Sequence, residues 1–261
     1  MPTGIDHIVI AVRDLELAIA EYTAAGFMVA PGGEHTNGTT HNALIPFADG
    51  SYVELIAWKQ PDEPADTPWW HRFQAGEGVI DFALRTDDLD AEMSRLRANG
   101  LNVPEPEAGG RTRPDGQRVE WRNLRFGEGS APSLPFYCHS TNDRSLRVPG
   151  GAAAIHENGV TGVAGVTIGV TDLNAASRDF ARVTGAANDA GRFEIGGVDT
   201  GSVWIALVEH MADDPARDNL PLEIALATNR GRAGEIDPAL THGARLIVEG
   251  PNSAGVHRTV V

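Results

Sequence analysis

Three side chains that could transfer protons or bind a metal ion interrupt apolar runs of this sequence. His7, Glu54 and Asp81 each lie inside a strand-like segment rich in Val, Ile, Leu and Ala. Charged and imidazole groups add little to packing in such segments, so their presence there indicates either a site or a buried polar pair. An imidazole and two carboxylates can carry general acid–base chemistry, with Glu54 and His7 as the candidate catalytic residues.

Other polar and aromatic side chains are candidates for binding a substrate. Arg85 shares a strand face with Asp81, and Arg113 precedes a Pro-Asp-Gly turn, where it could contact an anionic group. His35 and Asn42 flank a Thr-Asn-Gly-Thr loop that could close over a ligand, although the favoured interpretation of His35 is a surface-loop residue. The remaining candidates are Trp121 and Phe136.

Structural explanations compete with each of these roles. A histidine on a strand is often a hydrogen-bonded core residue, which would account for His7. Asp81 could simply pair with Arg85 or with an arginine of the 111–113 segment. Trp69 and Trp70 follow an acidic, proline-containing loop and are typical of a hydrophobic plug rather than a stacking platform.

A repeated strand–helix pattern must position these residues. An apolar run followed by Asp-Leu occurs at Asp14, Asp88 and Asp172, and each aspartate is a favourable helix N-cap. A glycine at a fixed place, Gly26 or Gly100, ends the first two helices. A fourth, weaker copy begins at 222–228 and lacks the Asp-Leu cap. We expect this module to end with the segment 257–261, with one strand fewer than the other modules.

Several strands follow each of the early helices without another helix between them. This order predicts βαβββ modules and an α+β fold, and it argues against a doubly wound parallel sheet. We predict an N-terminal half of two modules (1–145), a linker (146–160) and a C-terminal half with a shortened fourth module (161–261). Alternation predicts two shared faces: His7, Val9 and Ala11 on one strand, and Tyr52, Glu54, Ile56 and Trp58 on another.

Composition narrows the classes of function. The net charge is −15 and basic residues are not clustered, which excludes a nucleic-acid partner. No apolar run approaches the roughly 20 residues of a membrane span, and the N-terminus lacks a signal-peptide pattern, so we expect a cytoplasmic protein. The single cysteine, Cys138, excludes an internal disulfide.

Paired βαβββ modules resemble the vicinal oxygen chelate superfamily, which includes glyoxalase I, extradiol dioxygenases and bleomycin-resistance proteins. Shorter motifs are similar to its glyoxalase-like domain family: Gly38-Thr39-Thr40-His41-Asn42-Ala43-Leu44, Tyr52-Val53-Glu54-Leu55-Ile56, Arg111-Thr112-Arg113-Pro114-Asp115-Gly116 with Trp121, and Leu134-Pro135-Phe136. The resemblance implies two cup-shaped mixed sheets and a small organic substrate held in the N-terminal cup. It also implies a metal-dependent lyase, isomerase or dioxygenase. The alternative is a metal-free binding protein like those that confer bleomycin resistance.

In that superfamily, metal ligands come from the first and last strands of paired modules. The corresponding positions here are His7, Glu54 and Asp81, while Phe136 stands at the fourth position and cannot bind a metal. Such an oxygen-rich set favours Mn²⁺, Mg²⁺ or Fe²⁺ over Zn²⁺. Sheet edges in this architecture can also pair between chains, which leaves a homodimer open.

Overall fold

A computed structural model describes residues 1–196, 202–230 and 233–250. The first part contains helices α1 (Leu15–Ala24), α2 (Trp70–Gln74), α3 (Leu89–Ala98) and α4 (Arg144–Arg147), and strands β1 (Gly4–Val12), β2 (Ala30–His35), β3 (Thr40–Pro46), β4 (Tyr52–Trp58), β5 (Gly78–Arg85), β6 (Glu107–Thr112), β7 (Arg118–Leu124) and β8 (Phe136–Ser140). The second part contains β9 (Val160–Val170), α5 (Leu173–Thr184), β10 (Arg192–Ile195), β11 (Val203–Glu209), β12 (Pro221–Thr228), β13 (Gly234–Glu235) and β14 (Leu246–Glu249). The predicted end of the fourth module, 257–261, lies outside the described residues.

The first eight strands form a closed barrel, which we call the N-terminal barrel. Its strand order is β1-β4-β3-β2-β6-β7-β8-β5. The other six strands form an open sheet in the order β10-β11-β9-β12-β14-β13, which we call the C-terminal sheet. In each, the first strand of the half pairs parallel with one neighbour and antiparallel with the other. The α+β fold of βαβββ modules is therefore confirmed.

Strand alternation places the two faces of β1 as predicted. Ile8, Ile10 and Val12 pack in the large core that also holds the apolar residues of α1 and α3. Val9 and Ala11 belong instead to a smaller cluster inside the barrel. Burial of both faces explains why β1 has so few polar residues, because a strand between a helix layer and a filled barrel has no solvent side.

Helix boundaries follow the local sequence signals. The side chains of Asp14, Asp88 and Asp172 each accept a hydrogen bond from a backbone N–H in the first turn of the following helix. Gly26 and Gly100 follow α1 and α3 with φ of 86° and 79°, a backbone conformation that favours glycine.

Among the described residues of the fourth copy, a single 3₁₀ turn, Pro238–Leu240, stands at the place of its helix. Within the described ranges, no helix has the length and apolar character needed to cross a bilayer.

Candidate active site

A cavity of about 250 Å³ lies inside the N-terminal barrel, and we call it the barrel cavity. Residues from seven of the eight barrel strands, all except β5, line it. Polar lining side chains include His7, His35, Asn42, Tyr52, Glu54, Arg111, Asn123 and Arg147, and the aromatic walls are Trp69, Trp121 and Phe136. The predicted candidates His35, Asn42, Trp121 and Phe136 therefore share one cavity with His7 and Glu54, and their contact with a substrate stays a prediction.

The His7 imidazole is fixed by a carboxylate that the sequence analysis did not identify. The pairing of β1 with β5 shifts between Ile5 and His7, passing over Asp6, and the Asp6 and His7 side chains contact each other. His7 Nδ1 lies 2.8 Å from Asp6 Oδ1. An ionised carboxylate only accepts hydrogen bonds, so Nδ1 carries a proton, and in the neutral imidazole the lone pair is then on Nε2.

Two arginines hold Asp6 in its ionised form. Arg147 donates from Nη1 and Nη2 to the two carboxylate oxygens at 2.8 and 3.0 Å, and Arg144 donates to Oδ2 at 2.6 Å. Complete burial by itself would raise the pKa of Asp6. Attraction to Arg147, the His7 hydrogen bond and attraction to Arg144 together hold that pKa well below its ordinary value.

Glu54 approaches His7 from the other side. Glu54 Oε2 lies 3.6 Å from His7 Nε2, and Oε1 lies 3.4 Å from His35 Nε2. Asn42 Nδ2 donates to Oε1 at 2.6 Å. Burial would raise the pKa of Glu54, but hydrogen bonding and attraction to His35, with attraction to His7 and the Asn42 bond, lower it to about 2. The carboxylate is therefore ionised at neutral pH.

Asp81 does not join this group. Antiparallel pairing sets Asp81 opposite Val9, whereas His7 is opposite Ala83. Trp69 Nε1 donates to Asp81 Oδ2 at 2.7 Å, and Arg125 Nη1 lies 3.3 Å from the same atom. Asp81 lines a second cavity, of about 250 Å³, which we call the side cavity. The set of His7, Glu54 and Asp81 suggested by the sequence is thus not brought together.

Both predicted arginines also lie outside the barrel cavity. Arg85, at the end of β5, lies beside Gly4 and Gly50. Arg113 follows the last residue of β6, so strand alternation no longer directs it inward, and it pairs with Asp115 at 3.1 Å. The inward arginine is Arg111, which is 2% exposed and lines the cavity.

A family comparison agrees with this architecture. The model of the glyoxalase-like domain matches residues 5–184. The chain belongs to the glyoxalase-like domain family. It is also similar in structure to a hypothetical protein from Staphylococcus aureus, at 15% identity and a TM-score of 0.71, covering 94% of this chain and 98% of that one. No curated protein sequence matches this chain.

Two enzymes share the fold at greater distance. One is a xylose isomerase-like TIM barrel/4-hydroxyphenylpyruvate dioxygenase fusion protein, at 12% identity and a TM-score of 0.58, where the match covers 100% of this chain and 51% of that protein. The other is a variant of 4-hydroxymandelate synthase from Streptomyces coelicolor, at 14% identity and a TM-score of 0.52, covering 88% and 72%. At such identities the similarity shows the fold alone.

The superfamily's metal positions do not form a ligand set in this glyoxalase-like protein. Of the four positions, His7 and Glu54 face each other, Asp81 is bound by Trp69 and Arg125, and Phe136 packs edge-on against His7 with ring centroids 5.4 Å apart. Two ligands are too few to define a site for a divalent ion.

A different cluster has the donor types of a metal site. One ligand atom from each of Asp6, His7 and Cys138 lies within 4.8 Å of the others, and no other such triplet occurs in the part of the chain that the structure describes. However, Arg147 Nη1 lies 2.8 Å from Asp6 Oδ1 and 3.3 Å from Cys138 Sγ. Burial raises the pKa of the thiol to about 12. A cation would have to displace Arg147 and deprotonate Cys138, so these residues do not fit a metal ion either.

Sequence reasoning missed Asp6, Arg111, Arg125 and Arg147 as parts of the site. The only sequence signal for Asp6 is its position next to the candidate residue His7. Arg147 lies in the segment interpreted as a linker, where the α4 turn directs it back into the barrel. The sequence predicts a hydrophobic plug at Trp69, but the indole donates a hydrogen bond to Asp81 and lines both cavities.

Proposed function

We propose that this glyoxalase-like protein is an isomerase or lyase that removes a proton next to a carbonyl group of a small organic substrate in the barrel cavity. The observation that carries the proposal is the arrangement of Asp6, His7 and Glu54. One carboxylate fixes the His7 tautomer at 2.8 Å, and a second lies 3.6 Å from the free Nε2. His7 is then the proton acceptor, and the positive charge it gains lies between two carboxylates.

The reaction leaves an electron pair that must spread onto the substrate oxygen. In the proposal, the C–H proton moves to His7 Nε2 and the pair delocalises into the neighbouring carbonyl, which becomes an enolate. Tyr52 supports this step, because its hydroxyl lines the cavity and accepts from Arg147 Nη1 at 2.9 Å. Burial raises the pKa of Tyr52 well above its ordinary value, so it keeps its proton and can donate to the enolate oxygen.

Hydrogen–deuterium exchange at carbon tests the proposal without knowledge of the natural substrate. The protein is incubated in D₂O with a panel of small ketones, keto acids and hydroxy-ketones, and loss of C–H signals is followed by NMR. We expect exchange with at least one compound, and His7→Ala should slow it by about 10²–10⁴-fold. The matched control is His41→Ala, since His41 lies on β3 but outside the cavity lining.

The metal-dependent alternative is tested in the same samples. Metal content is measured by mass spectrometry before and after chelation and after loading with Mn²⁺, Fe²⁺ or Zn²⁺. Exchange that persists after chelation supports the proposal. Near-stoichiometric metal that is lost in both His7→Ala and Glu54→Ala, together with exchange that requires it, would replace the proposal with the metal-dependent function expected from the superfamily.

A second candidate function is binding of a small molecule without turnover, as in bleomycin-resistance proteins. The observation that favours it is a set of buried polar atoms on the cavity wall that have no hydrogen-bond partner among the described residues: Asn42 Oδ1, Thr67 Oγ1 and Asn123 Oδ1. A bound ligand would satisfy them. This function would be favoured by compounds that bind to both the wild-type protein and His7→Ala but undergo carbon exchange with neither.

A further inference from the structure

We propose that the substrate is a carboxylic acid and that Arg125 is the residue that selects it. This inference rests on the proposed function, because it names the substrate class of the same site. Arg125 follows the last residue of β7 and lies where the barrel cavity and the side cavity meet. Arg125 lines both cavities, together with Pro68, Trp69 and Phe136.

The Arg125 guanidinium is held by aromatic rings. Its Cζ lies 4.9 Å from the centroid of Trp69 and 4.4 Å from that of Phe136. Guanidinium groups stack on such rings while their N–H groups at the edge stay available. Since Phe136 also contacts the His7 ring, Arg125 and His7 are both in contact with one phenyl group, and a small substrate could reach both.

Arg125 has donors to spare. Nη1 lies 3.3 Å from Asp81 Oδ2, a long contact to a carboxylate that already accepts from Trp69 Nε1 at 2.7 Å. Within residues 1–196, 202–230 and 233–250, the Arg125 side chain makes no other hydrogen bond. Its Nε and Nη2 therefore present the paired donors that bind a carboxylate in a bidentate manner.

The other arginines near the cavities are already committed. Arg147 is bonded to Asp6 at two points. Arg111 donates to the carbonyl oxygens of Gly32 and Arg147, and Arg72 donates to those of Ile80 and Pro132. Among the arginines that line the two cavities, Arg125 is thus the one with donors free to bind a substrate carboxylate.

The test compares small carboxylic acids with their primary amides. Ligand-detected NMR ranks a panel of such pairs, and calorimetry gives the dissociation constant of the strongest acid and of its amide. We expect the wild-type protein to prefer acids by about tenfold or more, and Arg125→Gln to remove the preference. Arg125→Lys keeps the positive charge but lacks the paired guanidinium donors, so it should retain part of the preference for acids. Thermal unfolding of each variant checks that it is folded.

Arg122→Gln is the matched control. Arg122 lies on β7, and its guanidinium pairs with Asp90 at 2.9 Å outside both cavities, so the preference for acids should be unchanged. Equal affinity for acids and amides, or a preference that survives Arg125→Gln, would overturn the inference.

His7→Ala separates this inference from the proposed function. It should slow carbon exchange by about 10²–10⁴-fold but leave acid binding within about threefold. Acids that bind through Arg125 without any exchange would count against proton transfer and leave the anion site in place.

Discussion

The N-terminal barrel and the C-terminal sheet are built on one pattern but differ at the positions of His7 and Glu54. Alignment on the caps Asp14 and Asp172 makes Gly165 the counterpart of His7. The parallel pairing of β1 with β4 sets His7 beside Tyr52, and the pairing of β9 with β11 sets Gly165 beside Trp204. Glu54 lies two residues after Tyr52 on β4, and the residue two positions after Trp204 on β11 is Ala206.

Trp204 explains how the second half tolerates the loss of the imidazole. A Cβ atom added at Gly165 would lie 2.1 Å from the Trp204 ring, so the indole packs directly on the glycine. The same fold is thus completed by an apolar ring in one half and by the Asp6–His7–Glu54 group in the other. The modules therefore do not require these buried charges for folding, and a functional role in the barrel better explains the free-energy cost of burying them.

The largest expected effect comes from removing the buried cation of the barrel. Arg147→Met leaves the fully buried Asp6 with less compensation and should lower the free energy of unfolding by about 3–5 kcal/mol. Arg192→Met, in the C-terminal sheet, removes a partly exposed arginine paired with Glu194 at 2.9 Å and stacked on Trp204, and should cost about 1 kcal/mol. Urea unfolding measures both. Similar losses for the two variants would contradict the contrast between the halves.

The next effect is a dependence of stability on pH that arises in the barrel. The pKa of Glu54 falls from an ordinary 4.5 to about 2 on folding. A lowered pKa stabilises the protein above pH 4.5, and this contribution, about 3 kcal/mol in total, is lost as the pH falls towards 2. Unfolding free energies measured between pH 7 and 3 should therefore fall more for wild type than for Glu54→Gln. Parallel pH curves for the two proteins would show that Glu54 is not held as an anion.

Much of the fold could be predicted because its signals are local. The three Asp caps, the glycine stops after α1 and α3, and the alternation in β1 and β4 each depend on a few consecutive residues. Alternation also predicted correctly that Tyr52, Glu54, Ile56 and Trp58 share the inner face of the barrel.

The site was predicted less completely because its contacts are not local. The register shift at Asp6 depends on the partner strand β5. Asp81 is drawn away by Trp69 and Arg125, which come from a loop and from the end of another strand. No periodicity within one segment specifies which distant donor reaches a carboxylate first.

A smaller effect should follow from introducing a side chain at Gly165. Gly165→Ala places a methyl group against the Trp204 ring and should destabilise the protein by about 1–3 kcal/mol. Gly150→Ala is the control, because nothing lies within 4 Å of a Cβ at that position. In the double variant Gly165→Ala/Trp204→Ala the clash is absent, so its cost should be less than the sum of the single variants. Additive costs in this cycle would mean that Trp204 does not take the place of the imidazole.

The smallest effect is expected at the carboxylate of the C-terminal sheet. Glu223 pairs with Thr167 of β9, as Asp81 pairs with Val9 of β1, and it is bound by Arg245 at 2.8 Å, whose side chain is 45% exposed. Because one partner is largely in solvent, Glu223→Gln should change the free energy of unfolding by less than about 1 kcal/mol. Carbon exchange should also stay within about twofold of wild type, since Glu223 and Arg245 line neither cavity. A strong loss of exchange in Glu223→Gln would show that the second half contributes to the reaction, and the assignment of chemistry to the barrel alone would then be wrong.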